Sequence, residues 1–169
     1  ILQKIISLPA RQFRWAILIF CLVNACLLRV TSPQRAFEAM QIYDGVHYTV
    51  TAAQWLQAGH LTIPINGEDL PAAKAPGFSM VLAPFYLLFG EDLGNAIWGP
   101  FFLGVFSLFL FYFLIRRLTD RATACLGFLL LSFSPLHIAY SGTIMPSMAA
   151  LFFVLASALF LAQREKNPI

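Results

Sequence analysis

The chain has 169 residues, of which 59% are hydrophobic and 11% charged, and its formal net charge is +3. The apolar share is well above that of an average soluble domain, and no polar segment interleaves basic residues with aromatic ones. The composition therefore predicts a membrane protein and argues against nucleic acid as a partner.

Four segments have the roughly 20 mostly apolar residues that a helix needs to cross a bilayer. They cover residues 13–30, 93–115, 122–139 and 143–163. A fifth apolar run, 77–89, contains Pro84 and spans only about 20 Å at the helical rise. We expect this run to lie in the membrane interface or to re-enter the membrane. The three cysteines fall within apolar runs and predict no disulfide.

Basic residues cluster before the first predicted span, between the second and third, and after the fourth. The clusters consist of Lys4, Arg11, Arg14, Arg116, Arg117, Arg121, Arg164 and Lys166. Cytoplasmic loops are enriched in Lys and Arg, so all three clusters are expected on the cytoplasmic side. This predicts a multi-pass protein of the cell inner (plasma) membrane, with a cytoplasmic N-terminus and residues 31–92 on the outer, periplasmic side.

The outer segment 31–92 is predicted to contain amphipathic helices that lie along the membrane surface. Apolar residues recur at close to helical spacing over 35–58. The sequence SPQ at 32–34 predicts the start of this helical region, and AGH at 58–60, which contains Gly59, predicts its stop. The sequence INGEDLP at 65–71 predicts a turn, since it contains Asn-Gly and Pro. The predicted fold class is thus an all-α membrane protein with about four transmembrane helices and an outer loop of interfacial helices between the first and second.

The longest polar stretch contains an isolated acid, Asp44, followed by His47 and Tyr48. On a helix these three residues share one face, because they are spaced i, i+3 and i+4. A carboxylate there could orient or deprotonate an acceptor hydroxyl or amine, while His47 and Tyr48 hold the acceptor by hydrogen bonds. The alternative is a solvated or capping Asp beside two interfacial side chains.

A single base, Lys74, stands where the chain returns to the apolar layer, next to Ala-Pro-Gly. A cation at that depth can pair with a phosphate, either of a membrane lipid or of a lipid-linked substrate. The alternative is an ordinary lysine that reaches towards the headgroups. Pro76 and Gly77 would give a stiff bend followed by close approach of the backbone to a ligand.

The outward tip of the last predicted hairpin contains a third polar group, made of His137, Tyr140 and Ser141. Their spacing places them on one side of a helix, where they could line a cavity shared with the first outer helix. The alternative for His137 is an interfacial hydrogen-bonding residue. The three histidines of the chain lack metal-ligand spacing, so no metal site and no cofactor are predicted, and a divalent metal is unsupported.

The order of these elements resembles the start of a GT-C-fold glycosyltransferase. The first span precedes DGVHYTVTAAQWLQAGHLTIP and KAPGFSMVLAPFYLLFGE, and the later spans contain LIRRLTDR and LSFSPLHIAYSGTIMPSMAALFF. The chain is similar to the bacterial group related to protein O-mannosyltransferases and lipid A aminoarabinose transferases. Such enzymes have more helices than this chain supplies. We therefore expect residues 1–169 to be the N-terminal part of one multi-span domain.

The resemblance implies transfer of a sugar from a polyprenyl-phosphate-linked donor to a lipid, glycan or protein acceptor at the outer face of the membrane. It assigns Asp44 as the catalytic base or acceptor-orienting group. It assigns substrate binding to Lys74, near the carrier phosphate, and we add His47, Tyr48, His137 and Tyr140 as further substrate-binding candidates. The alternative function is a non-enzymatic membrane protein, a transporter or scaffold subunit.

The chain departs from its relatives at two places. It has Lys74-Ala75-Pro76 where they have Lys-Pro-Pro, which keeps the lysine but alters the bend. It has Ser147 after Pro146 where many relatives carry a second acid. A second carboxylate, and a metal held by it, is therefore not supported by the sequence.

Overall fold

A computed structural model describes residues 19, 22–24, 26–27, 43–90 and 92–164. Most of the predicted span 13–30 and residues 31–42 lie outside this part of the chain. The elements follow one another as α1 (Tyr43–Ala58), β1 (Thr62–Ile65), β2 (Glu68–Pro71), α2 (Gly77–Phe89), a 3₁₀ helix (Leu93–Ile97), α3 (Trp98–Leu118), α4 (Arg121–Ser132), α5 (Pro135–Ser141) and α6 (Ser147–Arg164). The described chain is therefore mainly helical, with one small hairpin.

Helix α1 confirms the C-terminal part of the helix predicted over 35–58. It ends at Ala58, and Gly59 follows with φ of +75°, the left-handed conformation that commonly closes a helix. The Gly59 N–H donates to the Trp55 carbonyl at 3.0 Å. The predicted stop signal at Gly59 is thus confirmed.

The segment 31–92, predicted as the outer loop, is not purely helical in its described part, because strands β1 and β2 form an antiparallel hairpin. Ile65 pairs with Glu68 across the turn, and Asn66 and Gly67 both have positive φ, as a two-residue hairpin turn requires. The turn predicted over 65–71 is correct in position, but the two strands around it were not predicted. Both strands are edges of a two-stranded sheet, which tolerates Pro64 and Pro71.

Helix α2 confirms that the apolar run 77–89 forms one short helix. It has 13 residues, so it extends only about 20 Å, less than the hydrocarbon thickness of a bilayer. It ends before Gly90, whose φ is +95°. Its predicted place in the interface stays a prediction.

Two of the described helices are long and apolar enough to cross a membrane. They are the continuous helical stretch Gly94–Leu118, which contains α3, and α6, Ser147–Arg164. They correspond to the predicted spans 93–115 and 143–163. The described residues at 19, 22–24 and 26–27 are also helical, and Leu22 packs against a small apolar cluster built on Leu108 and Phe128.

The span predicted over 122–139 is divided in the structure. Helix α4 ends at Ser132, α5 begins at Pro135, and the two axes are bent by 61°. Pro135 lacks an N–H group and its ring is incompatible with the preceding helical turn, while Ser134 takes an extended conformation with ψ of 118°. Helices α4 and α5 therefore form one membrane span only if a single span can contain this 61° bend.

The main core joins α1 and α2 to the ends of the long helices. Its buried side chains come from α1, α2, the 3₁₀ helix, α3 and α6, and include Tyr48, Phe78, Leu82, Tyr86, Leu103 and Met148. Gly104 allows α3 to approach α5, since a Cβ at this position would lie 2.8 Å from the Cβ of Ser141 and closer still to its hydroxyl. The core holds α1 and α2 against the N-terminal end of α3.

Candidate functional site

Asp44 and Lys74 form an ion pair at the start of α1. The Lys74 Nζ lies 3.0 Å from the Asp44 Oδ1, and the side chains are 38% and 37% exposed. Asp44 is in the first turn of α1, where the positive end of the helix dipole favours a carboxylate. Lys74 lies in the loop between β2 and α2. The structure thus brings together the two residues on which the predicted chemistry most depends.

The hairpin explains how residues 30 positions apart meet. Strand β1 packs against α1, and the Gln54 Nε2 donates to the Asp69 Oδ1 at 3.3 Å, which ties the second strand to the same helix. The chain then leaves β2 at Pro71 and returns towards the start of α1. The hairpin is therefore the connection that places Lys74 beside Asp44.

Tyr48 lies in the core beneath the ion pair. Its ring meets the ring of Phe78 edge to face, with centroids 5.1 Å apart. Edge-to-face contacts between aromatic rings are favourable because the positive ring edge meets the negative ring face. His47 is half-buried one turn from Asp44. The predicted shared face of Asp44, His47 and Tyr48 thus starts at the surface and runs into the core.

His137 belongs to a separate buried cluster between α5 and α3. Its Nε2 lies 2.9 Å from the Ser107 Oγ, and the Ser107 hydroxyl donates to the Gly104 carbonyl at 2.7 Å. Because the serine proton is engaged there, the geometry indicates that Nε2 of His137 carries the proton and donates to Ser107. His137 thus makes a buried hydrogen bond between α5 and α3.

Ser141 and Tyr140 lie on different sides of α5. The Ser141 hydroxyl is buried and donates to the His137 carbonyl at 2.6 Å, while the Tyr140 side chain is exposed. Met148 connects this cluster to the main core, because its sulfur lies 3.6 Å from the Ser141 Oγ. The role of His137 and Tyr140 in substrate binding stays a prediction.

Two polar residues of this region were not singled out from the sequence. Ser107 lies in the middle of an apolar helix, and its only sequence signal is one hydroxyl among Phe and Leu residues. Tyr86 is buried in α2, and burial raises the pKa of its phenol, with Thr49 beside it and Asp92 nearby.

Among the residues that the structure describes, no group of three His, Cys, Asp or Glu side chains could hold a metal ion. The described site consists of an acid on α1 and a base in the loop before α2, supported by an aromatic contact. Such a pair can accept a proton at one end and stabilise an anion at the other.

A family model described as dolichyl-phosphate-mannose-protein mannosyltransferase matches residues 73–168 of the chain. The chain belongs to this mannosyltransferase family. The matched range includes Lys74, His137 and Tyr140, and it begins after Asp44. Membership agrees with the apolar helices, since both indicate a membrane protein.

The chain is also similar to an uncharacterized protein of Aquifex aeolicus (strain VF5). The two are 32% identical over 140 residues, which cover 82% of the chain and 28% of that relative. The chain thus spans less than a third of the length of the relative that it matches. No solved structure matches the chain.

Proposed function

We propose that this chain forms part of an enzyme that transfers a sugar from a polyprenyl-phosphate-linked donor to an acceptor at the outer face of the membrane. The observation that carries the proposal is the ion pair between Asp44 and Lys74. Membership of a dolichyl-phosphate-mannose-protein mannosyltransferase family supports this reaction type. The acceptor is a lipid, a glycan or a protein.

In the proposed mechanism, Asp44 acts on the acceptor. Its carboxylate accepts the proton of the acceptor hydroxyl or amine as that group attacks the anomeric carbon of the sugar. A bond forms between the acceptor atom and the anomeric carbon, and the bond from that carbon to the phosphate oxygen breaks. Attack opposite to the leaving phosphate inverts the anomeric configuration.

Lys74 acts on the leaving group. The polyprenyl phosphate departs with an additional negative charge, which an ammonium group at hydrogen-bond distance stabilises. In the structure this ammonium group is paired with Asp44, and the Lys74 Nζ lies 3.0 Å from the Asp44 Oδ1. Binding of the donor phosphate would compete for Lys74 and release the Asp44 carboxylate for the acceptor, so donor binding would prepare the base.

The side of the membrane is part of the proposal. The ion pair is held near the N-terminal end of α3, whereas Arg116 and Arg117 are in its last turn. Arg164 is in the last turn of α6, which has its C-terminal end beside that of α3. The enrichment of basic residues on cytoplasmic faces therefore supports an outer location for Asp44 and Lys74.

The test measures sugar transfer by the full-length protein in membranes, with radiolabelled polyprenyl-phosphate mannose and then other polyprenyl-phosphate sugars. We expect Asp44→Asn to lower turnover by about 100-fold or more, the usual contribution of a general base. Glu68→Gln is the matched control, because Glu68 is an exposed acid of the same segment, 31–92. Its turnover should stay close to that of the unsubstituted protein.

Two results would contradict the proposal at different levels. Undiminished turnover by Asp44→Asn would remove Asp44 as the base but leave the reaction in place. Absence of transfer by the unsubstituted protein from every polyprenyl-phosphate sugar would overturn the reaction itself, and the transporter or scaffold alternative would replace it.

A further inference from the structure

A groove lies between the C-terminal ends of α3 and α6, at the opposite end of α3 from the ion pair. Its volume is about 680 Å³, and it is lined by Phe113, Arg116, Arg117, Thr119, Leu159 and Gln163. Helix α3 has 21 residues, so this groove is about 30 Å away along the helix axis from the end that packs against α2. It is separate from the proposed site of sugar transfer.

We propose that this groove binds the phosphate headgroup of an anionic phospholipid. The inference does not depend on the proposed sugar transfer, because it uses other residues at the other end of the helices. Basic pockets between membrane helices on the cytoplasmic side are suited to anionic headgroups.

The two arginines provide the headgroup site. Arg117 is half-buried, and its Nε donates to the Ala162 carbonyl of α6 at 3.4 Å, which orients the guanidinium across the groove. An arginine has five N–H donors, so the other nitrogens can donate to phosphate oxygens in the same plane. Arg116 is exposed at the neighbouring position and adds a second positive charge.

The acid nearest in sequence to the two arginines is hydrogen-bonded to α4. Asp120 caps α4: its Oδ1 accepts from the backbone N–H groups of Ala122 and Thr123 at 2.7 and 3.0 Å, and its Oδ2 accepts from the Thr123 hydroxyl at 2.7 Å. The Asp120 carboxylate thus accepts three hydrogen bonds from the first turn of α4. In the described part of the chain, neither Arg116 nor Arg117 forms an ion pair with an acid.

The remaining lining distinguishes a lipid from a soluble phosphate. Phe113 and Leu159 lie one helical turn before Arg116 and Gln163 respectively, so each apolar side chain lies deeper along its helix than the polar one. A headgroup at the arginines would therefore continue into acyl chains along Phe113 and Leu159. Free inorganic phosphate would leave this apolar part of the groove unused.

The experiment measures the affinity of the full-length protein, purified in a zwitterionic detergent, for fluorescent phosphatidylglycerol. Arg116→Gln combined with Arg117→Gln should weaken binding about tenfold or more, since each arginine near a headgroup contributes severalfold. The matched control is Arg121→Gln combined with Arg164→Gln, which removes the same charge from arginines at the same end that do not line the groove. This control should bind within about twofold of the unsubstituted protein.

Further measurements identify the ligand, and a second variant tests the site in case the double variant misfolds. Phosphatidylcholine with the same chains should compete poorly, and inorganic phosphate should not displace the lipid. Gln163→Glu places a negative charge at the groove and leaves Arg116, Arg117 and Ala162 unsubstituted, and it should also weaken binding if the double variant does not fold. Equal losses in the two double variants would overturn the site in favour of a general charge effect. Displacement by inorganic phosphate would overturn the lipid as the ligand, and absence of saturable binding would overturn both.

Discussion

The ring of Tyr48 meets the ring of Phe78 edge to face at 5.1 Å, and each ring lies four residues after a member of the ion pair, Asp44 and Lys74 respectively. On α1, one helical turn therefore separates Asp44, in the charged contact at the surface, from Tyr48, in the aromatic contact in the core. The aromatic contact fixes α1 against α2, and this packing holds the two charges at hydrogen-bond distance.

This arrangement predicts that the Tyr48 ring matters chiefly for packing. Tyr48→Ala should lower the free energy of unfolding by about 3 kcal/mol, as for other large aromatic residues removed from a core. Tyr48→Phe keeps the edge-to-face contact and should unfold at nearly the same temperature as the unsubstituted protein. Thermal unfolding in detergent checks both variants. Equal destabilisation by the two would show that the hydroxyl, and not the ring, supports the structure.

The ion pair is predicted to contribute little to stability and much to turnover. Both side chains are more than a third exposed, so Lys74→Gln should cost less than about 1 kcal/mol of folding free energy. Turnover should fall by about 100-fold or more, because the leaving phosphate loses its cation. Sugar transfer and thermal unfolding are measured on the same preparation.

The reversed pair Asp44→Lys with Lys74→Asp provides the matching control. It keeps an attraction between the two positions but places a cation in the first turn of α1, so its free energy of unfolding should be lower than that of the unsubstituted protein by only about 1 kcal/mol. Its turnover should remain low, because the base and the cation have exchanged ends. Recovery of turnover would mean that the pair acts only as a structural contact.

The close approach of α3 and α5 predicts a steric effect at Gly104. Gly104→Ala would place a Cβ 2.8 Å from the Cβ of Ser141, and we expect a loss of about 1–3 kcal/mol, typical of overpacking. Gly77→Ala is the control, since a Cβ there meets no atom within 4 Å. The measurement compares the thermal unfolding of the two variants. A Gly104→Ala protein as stable as Gly77→Ala would contradict the packing described for these helices.

The cluster around His137 predicts that Ser107 is structurally important. Ser107→Ala removes the hydroxyl that lies 2.9 Å from the His137 Nε2 and should cost about 1–3 kcal/mol, because a buried polar atom loses its partner. Ser157→Ala is the control, since Ser157 is an exposed serine of another apolar helix. Unfolding temperatures in the same detergent compare the two. No difference between them would indicate that His137 finds another partner.

The cap of α4 predicts a pH dependence of stability. Hydrogen bonds from the backbone and side chain of Thr123, and from the backbone of Ala122, hold the pKa of Asp120 below its ordinary value. The folded pKa is lower than the unfolded one, so the carboxylate stabilises the fold above the unfolded pKa, and this contribution is lost as the pH falls through the folded pKa.

The measurement is the unfolding temperature as a function of pH for the unsubstituted protein and Asp120→Asn. The two should differ most near neutral pH and converge in acid, because Asn keeps a capping oxygen but carries no charge. Thr123→Val removes one of the three bonds to the carboxylate and should give an intermediate pH dependence. A difference that does not change with pH would rule out the carboxylate charge as its source.

Local patterns in the sequence predicted the elements whose signals lie within a few neighbouring residues. The end of α1 at Ala58, the turn at Asn66 and Gly67, and the short helix over 77–89 follow from glycine, Asn-Gly and apolar runs. The span 93–115 followed from length and apolar content alone. These features depend on backbone preferences and on the thickness of a bilayer, both of which can be read along the chain.

Only the tertiary structure decided which distant side chains meet. Asp44 and Lys74 were separate candidates in the sequence, and the unpredicted hairpin makes them partners. His137 was a candidate for the same cavity, yet it bonds to Ser107 of α3, because Gly104 allows the backbones to approach closely. The physical reason is that helical periodicity determines which face a residue occupies, whereas packing against other elements determines what that face contacts.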